Sequence, residues 1–208
     1  MDINSDFYSI FIFMACIFLA TAVHETMHAY VALRLGDDLA HSSGRISLNP
    51  LRHIDPFLTV VLPLTLLILG LTPILAAKPV PINPNRLRGG EDGMALVGAV
   101  GPFSNLAMAG LTGFLIRVID PTVGTTPYTV MITFFMVNVG LFVFNMLPIP
   151  PLDGSRVLYA IAPESVQNFM RTIEGFGVAG VILFLAILYP VISPFLNASY
   201  NFLIRILL

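Results

Sequence analysis

The feature that most constrains the fold is an apolar run that leads directly into a metal-binding motif. From Phe7 to Val23 the chain carries no charged side chain. A run of this length is close to what a helix needs to cross the hydrocarbon core of a bilayer. It is followed at once by His24-Glu25-Thr26-Met27-His28, an H-E-x-x-H motif. The run and the motif together predict water chemistry at a membrane-embedded site.

The motif has the spacing of a zinc site on one helix. Two histidines four residues apart project from the same helical face, and Glu25 faces roughly the same way. Two imidazoles suit zinc, and the carboxylate of Glu25 could accept a proton from the water that attacks the substrate. The alternative is a helix whose histidines bond their neighbours near the membrane interface. Ionisable groups in an apolar span are functional by default, which favours a metal.

Composition places the chain among integral membrane proteins. Its 208 residues are 56% hydrophobic and 11% charged, whereas soluble domains carry about 25% charge. A net charge of −2 indicates no nucleic-acid surface. Cys16 is the single cysteine, which excludes intramolecular disulfides and a zinc site built from cysteines. Asp2 and Asp6 precede the apolar run where a secretory signal would carry basic residues, so we expect this segment to be retained.

Hydropathy and breaker residues predict an all-α polytopic membrane protein. We expect about five transmembrane helices, a re-entrant or interfacial hairpin and a short strand-like segment. The predicted spans are 7–35, ended by Gly36, then 94–116, 129–147, and a C-terminal pair at 176–189 and 192–208 split near Pro190 and Pro194. The hairpin is 57–77, the strand-like segment 45–48, an extended stretch 78–88, and a short helix 153–162. We interpret residues 1–208 as one integral-membrane domain, with a catalytic core at about 7–160 and the helical pair within about 170–208.

Basic residues near the span ends predict the topology. They cluster after the first span, before the second and after the third, at Arg34, Arg45, Arg52, Lys78, Arg86, Arg88, Arg156 and Arg171. The connection between spans two and three holds only Arg117. The positive-inside rule then places the N-terminus outside and residues 36–92 in the cytoplasm. Residues 57–77 must therefore enter and leave on one side, which their internal prolines and glycine allow; the alternative is a full crossing.

A third metal ligand must come from elsewhere in the chain. Asp153 follows the third long span and the proline-rich break at 148–151, on the same predicted side as the motif. Its carboxylate could complete a zinc site, which usually has three protein ligands when it is catalytic. Aspartate before a short helix is also a common N-cap. The spacing leaves both interpretations open.

Several segments together resemble a known family. They are HETMHAYVALRLGD, GRISLNPLRHIDP, AKPVPINP, GPFSN and FNMLPIPPLDGSRVL, between about residues 20 and 160. The chain resembles the site-2 protease family of intramembrane zinc metalloproteases, in particular its compact bacterial and archaeal members. The resemblance implies one Zn²⁺ held by His24, His28 and Asp153, with Glu25 as catalytic base. It also implies cleavage of transmembrane protein substrates within the lipid bilayer of a bacterial or archaeal cytoplasmic membrane.

Other polar residues have less specific roles. Asn145 could donate a hydrogen bond to the oxyanion or join two helices. Asn138 lies seven residues earlier on the same face and raises the same question, whereas Asn105 is expected to serve helix packing or to support a ligand. His41 and His53 are expected to be solvated or hydrogen-bonded.

Two loop segments could hold an extended substrate by strand addition, or could simply be surface loops. These are the GRISL segment at 44–48 and the KPVPINP segment at 78–84.

Two other function classes remain possible at this point. A membrane adaptor could keep the scaffold without catalysis, although the complete set of motif residues argues against it. A metal transporter would need polar residues along a path through the membrane, and the later spans offer few.

Overall fold

The computed structural model describes residues 3–55 and 78–208, and the regular structure in these residues is helical. Seven α-helices lie in this part of the chain: α1 (Ile3–Arg34), α2 (Leu39–Ser42), α3 (Glu91–Ile119), α4 (Thr126–Asn145), α5 (Asp153–Ile161), α6 (Glu164–Gly175) and α7 (Gly177–Leu207). Short 3₁₀ turns lie at Pro50–His53 and Pro84–Arg86. Four stretches of these helices are long and apolar enough to cross a membrane: Phe7–Arg34, Glu91–Ile119, Thr126–Asn145 and Ile187–Leu207.

Helix α1 ends where the sequence predicted, at a glycine. Gly36 adopts a φ of 108°, in the region that favours glycine. The amide of Asp37 then donates to the carbonyl of Ala32 at 2.9 Å, the bond that closes a helix through a left-handed residue. The buried Asp37 carboxylate accepts from the amide of Asn83 at 2.6 Å. This contact ties the extended 78–83 segment to the motif end of α1.

The three helices of the core alternate in direction. Tyr8 Oη donates to Thr126 Oγ1 at 2.8 Å, so α1 and α4 begin at the same end of the bundle. His28, near the end of α1, contacts the carbonyl of Val97, near the start of α3. Helix α3 therefore runs opposite to α1, and α4 returns. Spans two and three make the round trip that the sequence predicted.

Small side chains let these helices approach closely, and large apolar ones face outward. One cluster joins α1 to α4 through Ile12, Cys16, Ala20 and Val137. A second joins α3, α4 and α7 through Ala109, Phe135, Val139 and Val143, with Leu203 and Leu207 packed against it. Exposed apolar side chains on three of the long helices include Phe7, Phe11, Leu111, Phe114 and Phe195. Such outward faces match a lipid environment, and the chain is a multi-pass membrane protein.

The predicted C-terminal pair of helices is wrong. Gly177–Leu207 is a single helix, with Pro190 and Pro194 inside it. Prolines end helices less often in a membrane than in water. The carbonyls that lose their bond find other partners, and a non-helical segment in lipid would leave its backbone groups without water to bond. Among the described residues there are accordingly four candidate spans, not five.

The predicted strand at 45–48 is also wrong: the described part of the chain contains no strand. A strand needs a paired neighbour for its backbone groups. Here the carbonyl of Ser47 accepts instead from two side chains, Thr26 Oγ1 at 2.7 Å and His53 Nε2 at 2.7 Å. The segment lies as an extended loop beside the motif.

Helix α6 was not predicted from the sequence, although Pro163 followed by Glu164 is a common helix start. The hairpin predicted at 57–77 lies outside the described residues. The described residues on either side of it lie together, since the amide of Lys78 donates to the carbonyl of His53 at 2.9 Å.

Candidate metal centre

Three ligand-type atoms from two distant parts of the chain meet beside α3. Nε2 of His24 lies 3.0 Å from Nε2 of His28 and 3.0 Å from Oδ2 of Asp153. Nε2 of His28 lies 3.3 Å from the same oxygen. Both histidines are buried, and Asp153 is half-buried. The structure therefore brings together the three residues predicted as metal ligands.

The alternative role for Asp153, as an N-cap, is not what the structure shows. Helix α5 is capped by Leu152 with no side-chain cap bond, and Asp153 is its first residue. Its position depends on Gly98 in α3, because a Cβ there would lie 3.0 Å from the carbonyl oxygen of Asp153 and 2.8 Å from Cβ of Arg156. A larger residue at 98 would push α5, and with it the carboxylate, away from the histidines.

The carboxyl of Asp153 is ionised at neutral pH. Burial raises its pKa, but the contacts of its Oδ2 with the rings of His24 and His28 outweigh this effect and hold the pKa below its ordinary value. The group is therefore a carboxylate, the form that binds metals.

Each histidine is also held by its other ring nitrogen. Nδ1 of His28 lies 2.6 Å from the carbonyl oxygen of Val97, which can only accept, so Nδ1 carries the proton. Nδ1 of His24 lies 2.6 Å from Oδ1 of Asn105. Metal-binding histidines typically donate their second N–H to such an acceptor. The contacts orient both Nε2 atoms toward Asp153.

Gly101 of α3 leaves space directly against both ligand nitrogens. An added Cβ would lie 2.7 Å from Nε2 of His24 and closer still to Nε2 of His28. Two imidazole lone pairs and a carboxylate this close repel one another unless a cation or a proton lies among them. Two nitrogens and one oxygen form a donor set that suits zinc. The residues present thus fit a metal ion.

Glu25 lies at the same site without belonging to the three converging ligands. It is half-buried, one residue after His24 on α1. The ionisable side chains of the described residues that lie near its carboxyl include those of His28, His24, Asp153 and His53. A carboxylate in this place is suited to take up and release a proton next to the metal ligands.

The other polar residues singled out in the sequence differ in burial and in hydrogen-bond partners. Asn145 is half-buried at the end of α4, and its Nδ2 donates to the carbonyl of Leu141 at 3.0 Å. Asn105 and Asn138 are fully buried, and Asn105 contacts His24 directly, as expected of a residue that supports a ligand. His41 is exposed, whereas His53 is buried and bonded to Ser47.

Two parts of this site were not predicted from the sequence: Gly101 and the carbonyl group of Val97. The Gly-Pro pair at 101–102 was the available signal, since a glycine inside a long helix often marks a close approach. A backbone carbonyl carries no sequence signal.

Comparison with known proteins adds an independent finding. The sequence model described as Peptidase family M50 matches residues 108–188. YwhC of Bacillus subtilis is 35% identical over 194 residues, which cover 88% of this chain and 85% of that protein. MJ0611 of Methanocaldococcus jannaschii is 32% identical over 162 residues, covering 78% of this chain and 73% of that protein. Rip2 of Mycobacterium tuberculosis (strain ATCC 25618 / H37Rv) is 26% identical over 182 residues, covering 88% and 67%. Each of these relatives is named "Putative zinc metalloprotease". No solved structure gives a significant match.

Proposed function

The chain belongs to peptidase family M50, the site-2 protease family, and we propose that it hydrolyses peptide bonds in or near membrane-spanning segments of other proteins. In this proposal one zinc ion is held by His24, His28 and Asp153. Glu25 is the catalytic base. Residues 1–208 act as one catalytic domain.

The observation that carries the proposal is the convergence of three ligand atoms from α1 and α5. The two imidazole nitrogens and the Asp153 oxygen lie 3.0 to 3.3 Å apart, and within residues 3–55 and 78–208 neither histidine uses its Nε2 for a backbone bond. Catalytic zinc sites have three protein ligands and leave one position for water or substrate. A structural site would close that position with a fourth protein ligand.

Bound zinc would supply Lewis acidity, which activates water and polarises the substrate carbonyl at neutral pH. Glu25 would accept the proton of the attacking water and deliver it to the leaving amine. Asn145 donates one amide hydrogen to the carbonyl of Leu141, and its second amide hydrogen is the candidate donor to the oxyanion.

The substrate must be unwound before it can react. An intact helix hides its carbonyls in its own hydrogen bonds. The extended stretch around Ser47 lies against α1 at Thr26, within the motif, and the extended 78–83 segment is tied to the end of α1. We propose that one of these segments holds the unwound substrate by backbone hydrogen bonds.

The proposal is tested by separating metal binding from cleavage. Purified protein is analysed for zinc and then incubated with a panel of single-span membrane proteins. Glu25→Gln should abolish cleavage and leave zinc bound, because Glu25 is not a ligand. Glu91→Gln is the matched control, since Glu91 is exposed at the start of α3, and both properties should be unchanged.

The possible outcomes separate the function classes. Cleavage by Glu25→Gln at a comparable rate would show that the assigned base is wrong. Zinc binding without cleavage of any substrate by the wild type would favour an adaptor. Zinc-dependent flux across vesicles without cleavage would favour a transporter.

A further inference from the structure

Two fully buried asparagines connect the metal centre to the middle of α4. Asn105 of α3 and Asn138 of α4 are both 0% exposed. Amides buried among apolar helices are costly unless their hydrogen bonds are made. Nδ2 of Asn105 donates to Oδ1 of Asn138 at 2.9 Å, and Nδ2 of Asn138 donates to the carbonyl of Phe134 at 2.8 Å. Together with the His24 contact, these bonds form one continuous chain.

The direction of this chain is set at its far end. The carbonyl of Phe134 can only accept, so Asn138 must present its nitrogen there and its oxygen to Asn105. Asn105 must then present its nitrogen to Asn138 and its oxygen to His24. Since that oxygen can only accept, Nδ1 of His24 must carry the proton. Nε2 of His24 is left with its lone pair directed at the Asp153 side of the site.

The two histidines reach the same state by different routes. His28 is fixed by a backbone carbonyl, which keeps its direction whatever the side chains do. His24 is fixed by a side-chain amide, which could rotate and offer its nitrogen instead. The Asn105 amide must therefore be held with its oxygen toward His24, and the hydrogen bond to Asn138 holds it there.

We propose that Asn105 and Asn138 are positioning residues that hold His24 in the tautomer able to bind the metal. The inference rests on the proposed function for its metal and extends it to residues that touch neither metal nor substrate. Partners of this kind typically affect metal affinity by about 10–100-fold.

The test is zinc affinity measured at equilibrium by chelator competition in purified, detergent-solubilised protein. Asn105→Leu removes the acceptor but keeps the branching and the number of heavy atoms, and it should weaken zinc binding by about 10–100-fold. Asn105→Asp keeps an acceptor oxygen beside His24, and its protonated form can donate its hydroxyl to Oδ1 of Asn138 as the amide does, so it should restore most of that loss. Asn138→Leu leaves the acceptor but frees its orientation, so the loss should be smaller, about tenfold.

Thr112→Val is the matched control. Thr112 is buried on the same face of α3, seven residues after Asn105, and its hydroxyl donates within the helix to the carbonyl of Met108 at 2.7 Å. This variant should bind zinc as the wild type does. The absorption spectrum of Co²⁺-substituted protein gives a second readout. It should change in Asn105→Leu and stay unchanged in Thr112→Val.

Wild-type zinc affinity in folded Asn105→Leu would overturn the proposal, as would an Asn105→Asp protein as weak as Asn105→Leu. Should Asn105→Leu fail to fold, wild-type affinity in Asn138→Leu would overturn it equally. A wild type that binds zinc without proteolysis would refute the proposed function and leave these affinities meaningful. A wild type that binds no zinc would refute both.

Discussion

Gly101 offers a test of the metal centre that changes no ligand. It lies on α3 where the two motif histidines meet, and the only atoms that Gly101→Ala adds are those of one methyl group. An ideal Cβ there would be 2.7 Å from Nε2 of His24, whereas ordinary contacts begin at 3.4 Å. Relieving the contact with His24 requires a shift of about 0.7 Å in the ligand nitrogen or in α3, and the closer contact with Nε2 of His28 requires a larger one. Metal–ligand distances tolerate only about 0.2 Å.

The expected effect on zinc binding is large. Losing a partner that merely orients a ligand costs about 10–100-fold in affinity, and the methyl group displaces both imidazoles directly. We expect zinc affinity to fall by at least about 100-fold, which corresponds to about 2.8 kcal/mol of binding free energy. Cleavage should fall with zinc occupancy. Helix propensity favours alanine by up to about 1 kcal/mol, which offsets part of the cost of the steric contact, so the variant should still fold.

Gly110→Ala is the matched control on the same helix. In the described part of the chain, a Cβ at Gly110 meets only Cδ2 of Leu207 at 3.9 Å, an ordinary contact. Zinc affinity from chelator competition and thermal unfolding should be measured for both variants. Gly110→Ala should keep wild-type zinc affinity. A folded Gly101→Ala protein with wild-type affinity would refute the geometry argued for this site.

Three further predictions follow from the site and the topology. Asp153→Ala should lower zinc occupancy and cleavage together, as metal analysis would reveal; full zinc content in the folded variant would exclude Asp153 as a ligand. Chelation should abolish cleavage and added zinc should restore it, so activity that survives complete metal removal would contradict a metal mechanism. Cysteines placed at His41 and Asn85, in a Cys16→Ala background, should both be protected from an impermeant thiol reagent in intact cells. Labelling of either position in intact cells would contradict the placement of both on the cytoplasmic side.

The sequence alone determined the class of the protein and the local geometry of its motif. A charge-free run of membrane-spanning length forms a helix in lipid, because no water is present there and the backbone N–H and C=O groups must bond one another. The helical repeat then places His24 and His28 on one face, and Gly36 ends the helix. These features depend on neighbours within a few residues, so the sequence could reveal them. The resemblance to the site-2 protease family is confirmed by the relatives.

Tertiary packing decided what local rules left open. Asp153 could have been a cap or a ligand, and the choice depended on its contact with His24, 129 positions away, made possible where α5 approaches Gly98. The roles of Asn105 and Asn138 depended in the same way on which faces of α3 and α4 meet α1. The predictions of a helix break at the prolines of α7 and of a strand at 45–48 were wrong, because the structure of both segments depends on the residues and lipid around them. Side chains distant in sequence become partners only when whole helices dock, and no local pattern records that docking.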